Sequence, residues 1–130
     1  RRMTLDSSVL VALLFAEPGY LDLVDRILEA DEVRVGAPTL VETSLVLAGR
    51  RRSPSAGEVE RLAQELSITV VPFGEPEWRA AVDAFLRFGR GRHKAGLNFG
   101  DCLAYASAAV AGDTLLFVGD DFWHTDIRPA

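Results

Sequence analysis

Short apolar, β-branched runs alternate along this chain with stretches of helical periodicity, and no two neighbouring runs are joined by a hairpin turn. Met3-Thr4-Leu5-Asp6 reads as a buried strand ending in an acid. Val33 to Ala37 reads as a second strand, Ile68 to Val71 as a third ended by Pro72, and Thr114 to Val118 as a fourth. Between them the spacing predicts helices at Val9–Ala16, Tyr20–Ala30, Pro38–Gly49 and Glu58–Leu66. A further helix is opened by Pro76, with Trp78, Val82, Phe85 and Leu86 on its apolar side, and the last is the Ala-rich Phe99–Ala111. Ser7 or Ser8 is expected to cap the first of these helices. Arg50–Ser55 and Gly89–Asn98 read as polar loops, and Gly119–Ala130 as a turn-rich tail with a short edge strand near Asp126–Ile127. Strands without hairpins need crossovers. The expectation is an α/β fold, a three-layer α/β/α sandwich on a mainly parallel sheet of four or five strands, with residues 1–130 as one domain.

Such a sheet collects ligands outside the carboxyl ends of its strands, and acids recur there. Asp6 and the Asp120–Asp121 pair follow strands, Glu42 lies about one turn into its helix, and Asp101 lies in the first turn of its own. Any one of these reads equally as a cap or first-turn acid answering a helix dipole. Capping does not account for Glu42 among Leu40, Val41, Leu45 and Val46, nor for Asp6 between an apolar strand and an apolar helix, where an unpaired charge is costly. Four carboxylates at one edge repel each other, and a hard divalent cation bound through oxygen relieves that repulsion. Mg2+ or Mn2+ fits this donor set. Zinc does not, because His93 and His124 fall in different loops and Cys102 has no partner. Chemistry at phosphate follows.

The net charge of −5 argues by itself against a nucleic-acid binder. The basic residues are clustered, however, with Arg50, Arg51 and Arg52 in one block and Arg87, Arg90, Arg92, His93 and Lys94 in another. Local distribution therefore outweighs the total. The single cysteine excludes an internal disulfide and fits a reducing compartment. No apolar run approaches the roughly 20 residues needed to cross a bilayer, and the apolar start carries no signal-type cleavage site, so a cytoplasmic protein with no membrane partner is expected. Arg1 and Arg2 are given no role.

The stretches that carry the acids resemble those of the PIN-domain ribonucleases, and specifically the VapC-type toxins of bacterial toxin–antitoxin pairs. Thr4-Leu5-Asp6-Ser7-Ser8 resembles the opening strand of that family, and Ala37-Pro38-Thr39-Leu40-Val41-Glu42 its second acid motif. Gly89 through Asp101-Cys102 is similar to the stretch leading to the third. Leu115-Leu116-Phe117-Val118-Gly119-Asp120-Asp121-Phe122, with His124-Thr125-Asp126-Ile127, is similar to the closing motif. The resemblance implies an Mg2+- or Mn2+-dependent endoribonuclease that hydrolyses RNA with a metal-activated water. It further implies a homodimer held inactive by a cognate antitoxin. Asp6, Glu42, Asp101 and Asp121 are then the catalytic, metal-holding acids, with Asp120 as a candidate helper.

Around them, Ser8 either orients Asp6 or caps a helix, and Asn98 either braces the site or closes a loop. Arg90, Arg92, His93 and Lys94 are the expected RNA-phosphate contacts, and Arg50–Arg52 an antitoxin or solvent face. Trp78, Phe85 and Phe88 are expected in core or dimer packing, and Trp123 in packing rather than base stacking. Leu13, Leu14, Tyr20 and Leu23 suggest a dimer face. Two other classes compete. A receiver-like Mg2+-binding phosphoacceptor module would want an acid after the third strand, where Val70-Val71-Pro72-Phe73 has none. The other is a metal-dependent phosphoesterase acting on DNA or small phosphates, separable by its substrate. Neither a P-loop nor a strand-linked Gly-x-Gly-x-x-Gly is present to suggest a nucleotide-binding module.

Overall fold

The computed structural model describes residues 1–51 and 57–130. Four strands form one sheet: β1 (Arg2–Leu5), β2 (Glu32–Gly36), β3 (Thr69–Val71) and β4 (Thr114–Leu116), in the order β3-β2-β1-β4. All three pairings are parallel, with Thr4 opposite both Arg34 and Leu115. The helices are α1 (Ser7–Leu14), α2 (Tyr20–Glu29), α3 (Ala37–Arg50), α4 (Glu58–Glu65), α5 (Glu75–Phe88) and α6 (Phe99–Ala111), and a 3-10 turn, Asp121–His124, follows β4. This is the parallel α/β/α sandwich expected from strands that alternate with helices.

Alternation along each strand divides the core between the two faces. Met3, Leu5, Val35 and Leu116 join α1, α2 and α4 through Val9, Leu10, Ile27 and Ala63 on one side. Leu115 points the other way, among Ala84, Cys102, Ala104, Tyr105 and Ala108 of α5 and α6. Small residues let α6 come close to the sheet. A Cβ on Gly36, at the end of β2, would lie 2.3 Å from Ser107 Oγ on α6.

Several local expectations change. The cap of α1 is Asp6 itself, in extended backbone, whose side chain accepts the Ser8 N–H; Ser7 and Ser8 are already helical. Helix α3 runs on through Arg50, so Arg50 lies outside the expected loop; Arg52 through Ser55 of that loop lie outside the described residues. Arg50 and Arg51 stack their guanidinium groups over the Phe15 ring at 4.9 and 5.0 Å. Arg51 also donates to Glu58 at 2.6 Å and to the Leu14 carbonyl at 3.2 Å. These two arginines tie α1, α3 and α4 together and are not a bare surface patch.

The apolar side assigned to α5 faces outward, because Ala81 and Ala84 fit against the alanines of α6 more closely than large residues would. Trp78, Val82, Phe85 and Leu86 are left 39–54% exposed, and of the expected packing residues Phe88 turns in. Leu13 and Leu23, expected on a dimer face, pack against the inner core. The tail forms no strand at Asp126–Ile127. Asp126 instead accepts hydrogen bonds from Tyr105 and Arg87, and the chain rejoins the sheet through a single bridge between Leu115 and Pro129.

At the amino edge of the sheet Asp113 is 2% exposed and fully engaged. Arg34 donates to both its oxygens, at 3.0 and 2.9 Å, Thr4 donates at 3.0 Å, and the Arg2 guanidinium stands 3.5 Å away. Arg2 is thus part of β1 and of this network. Asp113→Ala strands the half-buried Arg34, and breaking such a pair costs about 3–5 kcal/mol. Urea unfolding should register that loss. Functional properties of the folded fraction should be unchanged, since Asp113 lies at the sheet edge opposite the acids described next.

Candidate active site

Four acids are delivered to the carboxyl edge of the sheet by four separate elements. Asp6 follows β1, Glu42 sits in the second turn of α3 after β2, Asp121 opens the turn after β4, and Asp101 sits at the third position of α6. Their proximity appears in their electrostatics. The Asp101 carboxyl is pushed up to about 6, first by burial, then by the negative charges of Asp6, Asp121 and Glu42, against one stabilising N–H from Asn98. Burial also raises Asp6, opposed by its hydrogen bonds to Ser8 and reinforced by the charge of Glu42. Of the adjacent pair, it is the charge of Asp121 that contributes to raising Asp101.

Each acid is held by something specific. Ser8 Oγ donates to Asp6 Oδ2 at 2.6 Å and accepts the Val118 N–H at 3.0 Å, so one hydroxyl both aims Asp6 and pins the chain leading to Asp120 and Asp121. Asn98 and Asp101 form a reciprocal capping box: Asn98 Oδ1 accepts the Asp101 N–H at 2.8 Å, and Asp101 Oδ2 accepts the Asn98 N–H at 3.0 Å. Asn98 therefore fixes the turn that presents Asp101. Glu42 lies against Gly100, where a Cβ would stand 1.9 Å from its Oε2. Sequence reading missed this seat, although a glycine in the first turn of a helix, next to a suspected site acid, invites a packing reason.

Two carboxylate oxygens here are buried without a hydrogen-bond partner: Asp6 Oδ1 and Glu42 Oε1. Buried anionic oxygens without donors are unfavourable unless a cation answers them. An all-oxygen set of this kind suits a hard divalent ion. Among the described residues no three acids, histidines or cysteines stand together as a ready-made metal cage.

The loop before α6 is closed at its base, with Arg90 N–H donating to the Leu97 carbonyl and Leu97 N–H to that of Phe88, both at 3.0 Å. His93 shapes it. Its Nδ1 accepts the Ala95 N–H at 3.1 Å and its ring meets Phe88 edge-on at 5.2 Å. Arg90, Arg92 and Lys94 remain exposed. On the other side of Glu42 runs an apolar groove of about 810 Å³ bordered by Pro38, Val41, Leu45, Phe73, Phe99 and Leu103.

The PIN domain family matches residues 3–127 of this chain. Ribonuclease VapC42 of Mycobacterium tuberculosis is 40% identical over 129 residues, spanning 98% of each chain. Ribonuclease VapC30 of the same organism is 38% identical over 126 residues, spanning 96% of this chain and 95% of its own. In three dimensions the fold is similar to that of a chain in a toxin–antitoxin complex from Klebsiella pneumoniae, with a TM-score of 0.68 at 13% identity, over 92% of this chain and 89% of that one. With four acids at the carboxyl edge of a parallel sheet and whole-length relatives of this kind, the chain belongs to the PIN-domain family, among the VapC ribonucleases.

Proposed function

We propose that residues 1–130 act as one nuclease domain, an Mg2+- or Mn2+-dependent endoribonuclease that is the toxin half of a type II toxin–antitoxin pair. The observation that carries this reading is the pair of donorless buried oxygens, Asp6 Oδ1 and Glu42 Oε1, at an edge where burial, reinforced by neighbouring carboxylates, raises the pKa values of Asp6 and Asp101. The names of VapC42 and VapC30 supply the substrate class, and the Klebsiella complex supports a cognate antitoxin as partner. We assign the working form as a cytoplasmic homodimer. Among the described residues no helix is long and apolar enough to cross a membrane.

In this mechanism Asp6, Asp101 and Asp121 would hold the cation, Glu42 would ligate it or orient the attacking water, and Asp120 is a candidate helper. When bound, the cation would lower the pKa of water and offset charge building on the phosphate. Ser8 occupies Asp6 Oδ2 and leaves Oδ1 for the ion. Asn98 keeps Asp101 at its post through the capping box. Glu42 Oε1 is the free acceptor in the pocket and can take a hydrogen bond from the attacking water. Arg90, Arg92 and Lys94 contact phosphates that flank the scissile bond, on a loop whose shape His93 maintains.

Cleavage should require divalent metal, stop in EDTA and favour RNA over DNA of the same sequence. Asp6→Asn and Asp101→Asn keep the side-chain shape and remove a charge, so metal affinity and cleavage should fall together, cleavage by roughly 100-fold or more. Calorimetric Mn2+ titration beside a cleavage assay checks this, and full activity in EDTA would refute the mechanism. Gly100→Ala should give a folded protein with a displaced Glu42 and a comparable loss of cleavage, because the added methyl takes the place of the carboxylate.

A pH dependence of stability follows from the same charges. The folded-state pKa of Asp101 is about 6 against an ordinary 3.8, and that of Asp6 is also raised. Between those values the folded chain keeps protons that the unfolded chain has released, so stability falls as pH rises. The melting temperature of EDTA-treated protein should therefore drop from pH 5 to pH 7.5. Divalent metal added at pH 7.5 should restore it, and Asp101→Asn should flatten the slope. A melting temperature that rises over this interval without metal would contradict the acid cluster.

A further inference from the structure

Among the described residues, four buried side-chain atoms have no hydrogen-bond partner: Asp6 Oδ1, Thr39 Oγ1, Glu42 Oε1 and Ser107 Oγ. All four belong to one corner of the molecule. Asp6 follows β1, Thr39 and Glu42 lie in the first two turns of α3 just after β2, and Ser107 faces Gly36 from α6. The two carboxylate oxygens are part of the site already described. The two hydroxyls are not, and Thr39 is 1% exposed. A hydroxyl so deep and unmatched is unfavourable unless something answers it.

Other hydroxyls of α3 bond back to their own helix. Thr43 donates to the Thr39 carbonyl at 2.8 Å, and Ser44 to that of Leu40 at 2.7 Å. Thr39 is the third residue of α3, and the residue four before it, Val35, belongs to β2. Its hydroxyl makes no such bond. Exposure fixes which way the helix faces: Thr39, Thr43 and Leu47 form its inner ridge, while Val41 and Leu45 face out. Glu42 comes three residues after Thr39, on the flank of that ridge against Gly100. Residues at this spacing are neighbours, with Cβ atoms about 5–6 Å apart. The two side chains do not bond each other directly. A gap of that size fits one water making two hydrogen bonds of about 2.8 Å. Buried space lined by carboxylate and hydroxyl oxygens holds water, whereas apolar space stays dry.

Resting on the nuclease reading of the site, we propose that Thr39 is a positioning residue for Glu42, acting through one buried water. The Thr39 hydroxyl donates to the water, and the water donates to Glu42 Oε1. A carboxylate oxygen accepts two hydrogen bonds, so Oε1 keeps a lone pair for the attacking water. Glu42 is then fixed at both oxygens, by contact with Gly100 at Oε2 and by the bridge at Oε1. A bridging water is nearly as good a tie as a direct hydrogen bond. Thr39 itself touches neither RNA nor cation, so its effect falls on the aim of Glu42 and hence on the chemical step.

A high-resolution crystal structure of the unaltered, metal-free chain tests the bridge directly. Water density is expected within about 3.2 Å of both Thr39 Oγ1 and Glu42 Oε1. Thr39→Val keeps the shape and removes the hydroxyl. It should lower kcat for RNA cleavage roughly 10- to 100-fold and leave KM within about twofold. Thr39→Ser should recover most of that loss. Melting in EDTA adds a readout independent of catalysis. Removing a hydroxyl that has no partner raises the melting temperature, whereas removing one that holds a water leaves that water and Glu42 short of a donor and lowers it. A Thr39→Val protein that melts higher than the parent and cleaves at the parent's rate would overturn the proposal. So would a crystal structure in which the Thr39 hydroxyl bonds straight to a carboxylate, or a kcat loss that Thr39→Ser does not recover. An unaltered chain that cleaves no RNA in Mg2+ or Mn2+, yet shows the bridging water and the lower Thr39→Val melting temperature, would sink the nuclease reading and uphold the bridge.

Discussion

Asp6 is 4% exposed, and only one of its two oxygens has a donor. An unanswered anionic oxygen in such a place opposes folding, so the surroundings must either neutralise it by protonation or await a positive charge. The raised pKa of Asp6 is the first response and the oxygen-only donor set of the pocket permits the second. Everything else at the carboxyl edge is arranged around that tension. Ser8 satisfies one oxygen and no more, the strand ends bring further acids instead of bases, and Arg90, Arg92 and Lys94 stand exposed on the loop before α6.

The opposite edge of the sheet shows that the fold is able to resolve a buried acid when it needs to. Asp113 is at least as buried as Asp6, yet Arg34, Thr4 and Arg2 surround it and both its oxygens are bound. The two acids sit at opposite ends of the same few strands, in one fold and one chain. One is a closed network that joins β1, β2 and β4; the other is held open. Only the second has a physical use for a mobile cation. Stability and function are thereby assigned to different edges, a division that open parallel sheets make easy because strand ends and loops diverge there.

Much of this was legible in the sequence because it depends on period and order. Strand–helix alternation without hairpins implied the parallel sheet, and acids placed after strands implied carboxylates at its carboxyl edge. What escaped depends on which of two plausible faces wins. On α5, Trp78, Val82, Phe85 and Leu86 make the stronger apolar stripe, but Ala81 and Ala84 face inward, because α6 presents alanines and close approach of two backbones favours small residues. Leu13 and Leu23 look surplus when helices are counted one by one and are needed once the core is assembled. Asp6 takes the cap position from its serine neighbours because strand β1 ends at Leu5, leaving Asp6 in extended backbone. These are outcomes of packing, which local pattern does not encode.

The candidate site depends on two glycine contacts to hold its shape. Gly36 lets α6 approach the end of β2 at Ser107, and Gly100 lets the first turn of α6 receive the Glu42 carboxylate. Both contacts join α6 to the β2–α3 unit, one at the sheet and one at the pocket. The distance between Glu42 and Asp101 is therefore set by backbone proximity and not by the reach of long side chains, which could adjust. A site built this way is stiff: a carboxylate seated on a glycine has little freedom to retreat from its neighbours' charge. That stiffness sustains the burial that chiefly raises Asp101 and Asp6 and the carboxylate repulsion that adds to it. Pre-organisation of this kind is costly to the empty protein and favourable to binding, since little side-chain freedom remains to be lost when the ion and the phosphate arrive.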